Sequence, residues 1–441
     1  MPVNAIVLGN GRSGRAAAEL LRREGAHVVV LDGDAAWPGG MWDMCVTSPG
    51  IPLDHPWQTA ARAAGVRVIS ELQLGASRWK GRTLAVTGSK GKSSVVKLVA
   101  DALGGIPCGN YGRPVCDVVN SFSQISDFRF QISDSGYQVP DSGSIPDSGL
   151  IPDSGTRVSG APIPNSQFPI LNSQFSIPNS RFPILVVEVS SFQMETTDDF
   201  RPEAAALLNL QEDHLDRHGT KEAYHALKRR LLALAGRALD CSGWTAADVP
   251  ADARALFAGS YFDNDVLAVN GAAAVWLMRA AGLADAAVAA AFAAFEPLPH
   301  RMQTVCERGG VRYIDDSKAT SLAALAAGTR MAGRPVRLIA GGLGKGDDAF
   351  SSIRYLQSTT KKVYLIGRCA NQLYDAWHSA VPCEMCGTLE AAVEAASRDA
   401  RPGEAVLLSP GAASFDQFKN YGARGDRFAA IVMKERQKNE C

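Results

Sequence analysis

Three α/β domains, each built on a parallel sheet, are what this sequence predicts, and three observations predict them. The 441 residues exceed what a single hydrophobic core organises. Short apolar runs such as Ala5-Ile6-Val7-Leu8, Thr83-Leu84-Ala85-Val86 and Val336 to Ala340 alternate with helical patterns, the sign of a parallel sheet. Glycine-rich turns follow several of these runs, at the places where a strand hands over to a helix.

In chain order, the strand Ala5 to Leu8 runs into Gly9, Gly11 and Gly14, which open an Ala- and Leu-rich helix ending before Gly25. His27 to Leu31 is the next strand, and Met44 to Thr47 leads into the turn Ser48-Pro49-Gly50. This Rossmann-like first domain, residues 1–80, closes near Arg78. A second βα unit begins at Thr83, turns through Thr87 to Ser94 and continues as a helix to about Leu103. The same domain, residues 81–296, resumes with strands at Ile184 to Val189 and Ala204 to Leu210, then helices at Lys221 to Ala235 and Val266 to Ala281. The third domain, residues 297–441, alternates strands at Val311 to Ile314, Val336 to Ala340, Val363 to Ile366 and Val406 to Leu408 with helices such as Asp426 to Arg436, another parallel sheet.

Residues 120–183 interrupt the middle domain. Gln-Ile-Ser-Asp begins at 124 and 131, Pro-Asp-Ser-Gly at 140, 146 and 152, and Asn-Ser-(Gln/Arg)-Phe at 165, 172 and 179. Such short units, rich in Pro, Ser and Asp, supply no dependable core position, so a disordered low-complexity insertion is expected rather than a β-solenoid.

Lys plus Arg and Asp plus Glu both count 45, so no global basic field holds a nucleic-acid backbone. The N-terminus lacks a basic and apolar leader, and no stretch reaches the length of a spanning helix; a cytoplasmic protein is expected. Nine cysteines fit reduced thiols, and Cys383 with Cys386 lacks the second pair a zinc site needs.

The strongest chemical signal is Thr87-Gly88-Ser89-Lys90-Gly91-Lys92-Ser93-Ser94, between a strand and a helix. Glycines admit backbone amides to phosphates, Lys92 neutralises them, Ser93 offers a hydroxyl to Mg2+, and the helix points its positive end at the anion. Val86 stands where the full phosphate-loop pattern has its first glycine. Gly9-Asn10-Gly11-Arg12-Ser13-Gly14, with Asp32 beyond it, has the form of a dinucleotide fingerprint, but a phosphate-bearing substrate such as a UDP-sugar uses the same helix N-terminus. Glu188 ends a buried strand where a metal-holding acid belongs. Asn209 to Asp216 places oxygen and imidazole groups, His214 among them, on one loop. Lys228 lies one helical turn after Tyr224, where lysines are ordinarily solvated. Ile314 to Thr320, Gly341 to Gly346 and Leu408 to Asp416 are turns after strands, placed to bind anions.

Taken in order, TGSKGKSS, GNYGRP (109 to 114), EVSSFQ, NLQEDHLDRH, HRMQ, DDSKAT, GGLGKG and LSPGAASFDQFKNYGARG resemble the Mur ligase family over nearly the whole chain outside 120–183. The branch that adds D-glutamate is the nearest, since the Asp-Asn-Pro-Arg signature of the diaminopimelate and lysine branch is absent. The resemblance implies ATP-dependent ligation of D-glutamate to UDP-N-acetylmuramoyl-L-alanine through an acyl phosphate, on three domains that bind UDP-substrate, ATP and amino acid. By motif, Gly88, Ser89, Lys90, Gly91, Lys92, Ser93, Ser94, Asn270, Arg301 and Asp316 meet ATP. Ser93, Glu188, His214 and a carbamylated Lys228 hold two Mg2+ ions, which reverses the solvated reading of Lys228, and Lys92, Glu188, His214 and Lys228 carry catalysis. Ser13, Gly50 and Asn110 hold the UDP-substrate, while Lys318, Thr320, Lys345, Ser414 and Tyr421 surround the incoming glutamate, whose two carboxylates explain so many donors. A monomer acting on small molecules, with neither nucleic acid nor membrane as partner, is the expectation. Lys90 stands where the family has Asn, and Tyr421 where Phe is common. Two other readings are a catalytically silent UDP-sugar or nucleotide sensor and an NAD-dependent dehydrogenase resting on Gly9, Gly11 and Gly14; nucleotide binding without turnover, or binding of NAD, distinguishes them.

Overall fold

A computed structural model of the chain describes residues 3–122, 182–211, 213–344, 346 and 348–439. The repetitive segment from 123 to 181, and with it the expectation of disorder there, lies outside the described residues, as does Lys345. The chain divides into two compact units, Met1–Ser242 with Leu277–Leu283, and Gly243–Trp276 with Ala284–Cys441.

The first unit carries two parallel sheets. One is ordered β2-β1-β3-β4 from β1 (Asn4–Leu8), β2 (His27–Leu31), β3 (Met44–Thr47) and β4 (Val68–Ser70), joined by α1 (Arg12–Arg23) and α2 (Pro56–Ala63) and followed by α3 (Glu71–Arg78). The other is ordered β6-β7-β5-β8-β9, from β5 (Thr83–Thr87), β6 (Ile106–Gly109), β7 (Leu185–Glu188), β8 (Ala204–Leu207) and β9 (Arg237–Asp240). Its helices are α4 (Lys92–Leu103), α5 (115–122), α6 (Ser191–Met194), α7 (Leu215–His218) and α8 (Lys221–Leu234). β5 and β7 are apolar along nearly their whole length because both faces of a parallel sheet are covered. One apolar cluster, including Val7, Ala17, Leu21, Leu74, Val115, Val187 and Leu231, runs continuously through both sheets of this unit.

Close packing at α1 depends on Gly14. A Cβ there would lie 1.8 Å from the Gly9 carbonyl oxygen and 3.0 Å from Ser48 Oγ. The Gly9 backbone cannot give way by that much, so Gly14→Ala is expected to lower stability by about 3 kcal/mol, measured by denaturant unfolding. An unchanged unfolding midpoint would show that α1 shifts freely.

The second unit contains α9 (Ala251–Leu256), most of α10 (Ala268–Ala280), α11 (Asp285–Ala293) and a six-stranded sheet. That sheet is built from β10 (Gln303–Arg308), β11 (Val311–Asp315), β12 (Val336–Gly341), β13 (Thr360–Ile366), β14 (Cys383–Gly387) and β15 (Ala405–Leu408), in the order β10-β11-β15-β12-β13-β14. α12 (Leu322–Met331), α13 (Ile353–Thr359) and α14 (Ala370–Trp377) cover one face, while α15 (Leu389–Asp399) and α16 (Tyr421–Asn439) cover the other, giving two separate apolar cores.

Two sequence expectations are corrected. The third sheet is not wholly parallel: β10 pairs antiparallel with β11 across Gly309 and Gly310. Its exposed Gln303, Thr304 and Glu307 hide it from an apolar pattern, as befits an edge strand. The strand expected to run to Leu210 stops at Leu207, and residues 208–211 leave the ladder to wrap the phosphate loop. The helix expected at Val266 to Ala281 is α10, Ala268–Ala280. Cys383 and Cys386 are free, half-buried thiols, pushed up to about 11 by burial. Among the described residues no helix is long and apolar enough to cross a membrane.

Candidate functional site

β5 ends at Thr87, and the chain must reverse within four residues to enter α4. Gly91 makes this possible by taking φ +85° as the N-cap, a left-handed conformation that side-chain-bearing residues adopt at a cost. The opening turn of α4 therefore presents Lys92, Ser93 and the first helical amides together. Neighbouring chain holds the loop in shape: Ser89 N–H donates to the Asn209 carbonyl at 3.0 Å and Lys90 N–H to Asn209 Oδ1 at 2.9 Å. The Ser89 hydroxyl bonds Gln211 N–H at 3.0 Å and Tyr224 OH at 3.1 Å, so its side chain serves the scaffold and not the mouth of the loop. Lys92 Nζ donates to the carbonyls of Gly88 and Ser89 at 2.9 and 3.2 Å, folded back over the space its loop encloses.

Two buried charged groups face this loop. Glu188, at the end of β7, is 3% exposed; its Oε1 accepts from Asn110 Nδ2 at 2.8 Å, while Oε2 has no hydrogen-bond partner among the described residues. An ionised carboxylate with one oxygen unsatisfied is costly unless a cation joins it. Asn110 N–H also donates to the Glu188 carbonyl at 2.8 Å, so this residue orients the acid whatever else it holds. Lys228 is 2% exposed on α8, its Nζ 3.0 Å from the Gly88 carbonyl and 4.6 Å above the Tyr224 ring. Burial, reinforced by the charge of Lys92 and opposed by Asp213 and Glu188, brings its amine down to about 7. The solvated helical lysine expected from position alone is thus excluded.

His214 comes from the loop after β8. It occupies φ +53°, ψ +36°, which for a non-glycine residue costs roughly 1 kcal/mol and signals a position held by its surroundings. Phe192 of α6 lies 4.8 Å from its ring, and the Arg217 guanidinium sits 4.4 Å over the same phenyl. Arg217 grips Glu195 through two hydrogen bonds of 3.0 and 2.5 Å, with both side chains largely buried. His218 completes the knot, 3.0 Å from Ser191 Oγ and 3.4 Å from Glu195; burial holds its imidazole below the usual histidine range, against the pull of Glu195. Lys90 meets Asp213 at 3.4 Å, and although burial pushes the Asp213 carboxyl up, Lys90 and His214 bring it below the ordinary range.

Of the expected UDP-substrate residues, Asn110 follows β6 in the phosphate-loop sheet, while Ser13 and Gly50 lie on the neighbouring sheet of the same unit. Ser13 is half-buried in the first turn of α1, and Gly50 is exposed in the turn that closes when Ile51 N–H donates to the Ser48 carbonyl at 3.0 Å. Arg217 also donates to the Ile51 carbonyl at 3.0 Å and approaches that of Gly50 at 3.4 Å, linking this turn to the His214 loop. Gln58 and Arg62 of α2 brace the same segment, donating to the carbonyls of Ile51 and Leu53 at 3.1 and 2.8 Å. A cavity of about 800 Å³ opens beside Leu53, Arg217, His218 and Arg230.

The second unit holds the remaining expected residues. Asp316 follows β11, accepts from Ser409 Oγ at 2.8 Å, and is driven up to about 7 by burial despite Ser409, Met302 N–H and Arg301. Arg301 stands between His300 and Met302, both in the left-handed region. Lys318 lies 3.6 Å above the Tyr421 ring, Ser414 is buried and Thr320 half-buried nearby in the chain. Asn270 is buried in α10. Arg424, which no motif reading singled out, is 1% exposed and ties the Ser317 turn to the Ala412 carbonyl at 2.9 to 3.1 Å; burial lowers its guanidinium to about 10.

Sequence reasoning thus found Lys92, Glu188, His214 and Lys228 on one unit and missed Glu195, Arg217 and Arg424, whose meaning lies in partners distant along the chain. Among the described residues no group of three or more His, Cys, Asp or Glu side chains is placed to hold a metal.

Residues 300–411 match the Mur ligase glutamate ligase domain, and residues 165–238 the Mur ligase middle domain. The UDP-N-acetylmuramoylalanine--D-glutamate ligase of Nitratidesulfovibrio vulgaris (strain DP4) is 33% identical over 470 residues, covering 97% of this chain and 95% of that protein. The enzyme of the same description from Acidobacterium capsulatum is 32% identical over 502 residues, covering 98% and 96%. Among solved structures, the UDP-N-acetylmuramate-alanine ligase of Thermotoga maritima shares the fold at a TM-score of 0.52 and 13% identity, covering 98% of this chain and 99% of that one. At 33% identity to the Nitratidesulfovibrio vulgaris protein over 97% of its length, and with both Mur ligase domain matches, the chain belongs to the Mur ligase family.

Proposed function

We propose that this chain joins D-glutamate to UDP-N-acetylmuramoyl-L-alanine with cleavage of ATP to ADP and phosphate, supplying peptidoglycan precursor in the cytoplasm. The observation that carries the reading is the meeting, at the carboxyl edge of one parallel sheet, of Lys92, a Glu188 with one unpartnered buried oxygen, and a desolvated Lys228.

In the first step an alanyl carboxylate oxygen attacks the γ-phosphorus of ATP, and ADP leaves. In the second the glutamate amine, having lost a proton, attacks the acyl carbon, the C–N bond forms and inorganic phosphate leaves. Neither step needs a covalent bond to the protein, so the residues position and neutralise. Lys92 leaves its loop carbonyls for the β- and γ-phosphates, assisted by the amides around Gly88, Ser89, Lys90, Gly91 and Ser94. The orphaned Glu188 oxygen and the Ser93 hydroxyl would hold Mg2+, which would neutralise the phosphate charge, and the His214 imidazole would support a second metal ion. Burial beside anionic and cationic groups suits Lys228 to carbamylation, which exchanges a costly buried cation for a carboxylate-like metal ligand; with it a second Mg2+ is accommodated.

Ser13, Gly50 and Asn110 receive the UDP-substrate. Asn270, Arg301 and Asp316 complete ATP binding, while Lys318, Thr320, Lys345, Ser414 and Tyr421 receive the two carboxylates of glutamate. In domain terms the roles divide as residues 1–80, 81–296 and 297–441, in a monomer.

The test measures phosphate release with ATP, Mg2+ and UDP-N-acetylmuramoyl-L-alanine while D-glutamate, L-glutamate, lysine and diaminopimelate are compared as acceptors. Release is expected with D-glutamate alone and is abolished by chelating Mg2+. Turnover with another acceptor reassigns the amino acid, and no turnover with any acceptor defeats the ligase reading.

A further inference from the structure

Resting on that reading, we propose that Arg217, clamped by Glu195, is a positioning residue that fixes the distance between the turn holding the UDP moiety and the groups that act on its alanyl carboxylate. One guanidinium makes every link. On one side it bonds the backbone carbonyl of Ile51, 3.0 Å away, and lies 3.4 Å from that of Gly50, immediately behind the Ser48-Pro49-Gly50 turn. On the other it belongs to α7, the single helical turn that His214 caps, and its plane rests on Phe192, the ring that also packs on His214.

Glu195 is the reason these links are directional. Its carboxylate takes two donors from Arg217, at 2.5 and 3.0 Å, and a third contact from His218 at 3.4 Å, with only 4% of its side chain exposed. A forked pair of this kind sets the plane of the guanidinium as well as its position, so the remaining N–H groups are aimed at the 50–51 carbonyls before any ligand arrives. Glu195 follows α6, whose chain continues directly from Glu188 through Val189 and Ser190. The metal-holding acid, the His214 turn and the UDP turn are therefore tied through one ion pair.

The substrate is long, with its diphosphate at one end and the reacting carboxylate at the other. Its two ends must be held in register for in-line attack, and a displacement of about 1 Å costs on the order of 100-fold in rate. The ATP loop takes its own hydrogen bonds from Asn209, Gln211 and Tyr224, and none joins it to Arg217 among the described residues, although Tyr224 also packs 5.5 Å from the His218 ring. Loss of Arg217 should accordingly loosen the UDP-substrate and spare the nucleotide.

Kinetics of Arg217→Ala, Arg217→Lys and Glu195→Gln, each checked for an unchanged melting temperature, test this. For Arg217→Ala, KM for UDP-N-acetylmuramoyl-L-alanine should rise about 10-fold and kcat fall about 30-fold, with KM for ATP within about 2-fold. Arg217→Lys keeps the charge without the fork and should recover only part of the loss. Glu195→Gln should shift the same constants in the same direction by a smaller factor. Equal rises in KM for both substrates, full recovery by lysine, or wild-type constants in Arg217→Ala each overturn the proposal. If the unsubstituted enzyme itself turns over with no acceptor, the ligase reading has failed instead.

Discussion

Lys92→Ala is expected to cut ATP-dependent phosphate release by about 1,000-fold or more, the largest loss of any single substitution in this chain. Lys92 is the loop cation at the start of α4, and its ammonium donates to the Gly88 and Ser89 carbonyls. That arrangement makes the substitution informative. Both of those acceptors are neutral backbone carbonyls, so the fold should survive and ATP binding should weaken along with the chemical step. Lys90 and Lys228 stay in place, but Lys90 is engaged by Asp213 and Lys228 is buried, so neither replaces the missing charge. Pre-steady-state phosphate release at saturating ATP is the measurement, with unfolding followed in parallel. A rate within about 10-fold of the unsubstituted enzyme would move the phosphate contact elsewhere.

Glu188→Gln should lower kcat by about 100-fold and raise the Mg2+ concentration needed for half-maximal rate by a similar factor. The amide has the size of the acid and can still present an oxygen to the Asn110 side chain, so the contact at 2.8 Å is retained by one rotamer. What disappears is the negative charge of the oxygen that finds no partner among the described residues. A melting temperature equal to or above that of the parent is expected, because an incompletely paired buried charge has been removed. Mg2+ titration of initial rates decides the matter. Should the requirement for Mg2+ be unchanged, the orphaned oxygen would have some purpose other than metal binding.

The architecture was legible wherever a parallel strand is buried on both faces. β1, β5, β12 and β15 stand out as short apolar runs because helices cover both sides of their sheets. β10 escaped because an edge strand is half solvated and its alternation carries little apolar signal. The end of β8 was misplaced because Leu208 and Leu210 look like strand residues; the competing demand, bracing the phosphate loop through Asn209, appears only when that loop is folded beside it.

Motif residues divided in the same way. Lys92 and Ser93 are set by local chemistry: a strand, a glycine turn and a helix start occur in one stretch of chain, so their juxtaposition needs no distant partner. Lys228 was functionally mute from its own helix and gained a role only by resemblance; the structure adds its burial over Tyr224 and against Gly88.

By itself, then, the amino-acid order determined the sheets, the glycine turns at their carboxyl ends and the family, because periodicity, glycine placement and motif order are properties of contiguous chain. Only the tertiary structure decided which charges are buried, which carboxylate oxygen lacks a partner, and that Arg217 joins Glu195 to the 50–51 carbonyls. Those facts depend on groups brought together across 22 and 166 positions of separation. Desolvation and hydrogen-bond geometry are set by that folding together, and no spacing along the chain encodes them.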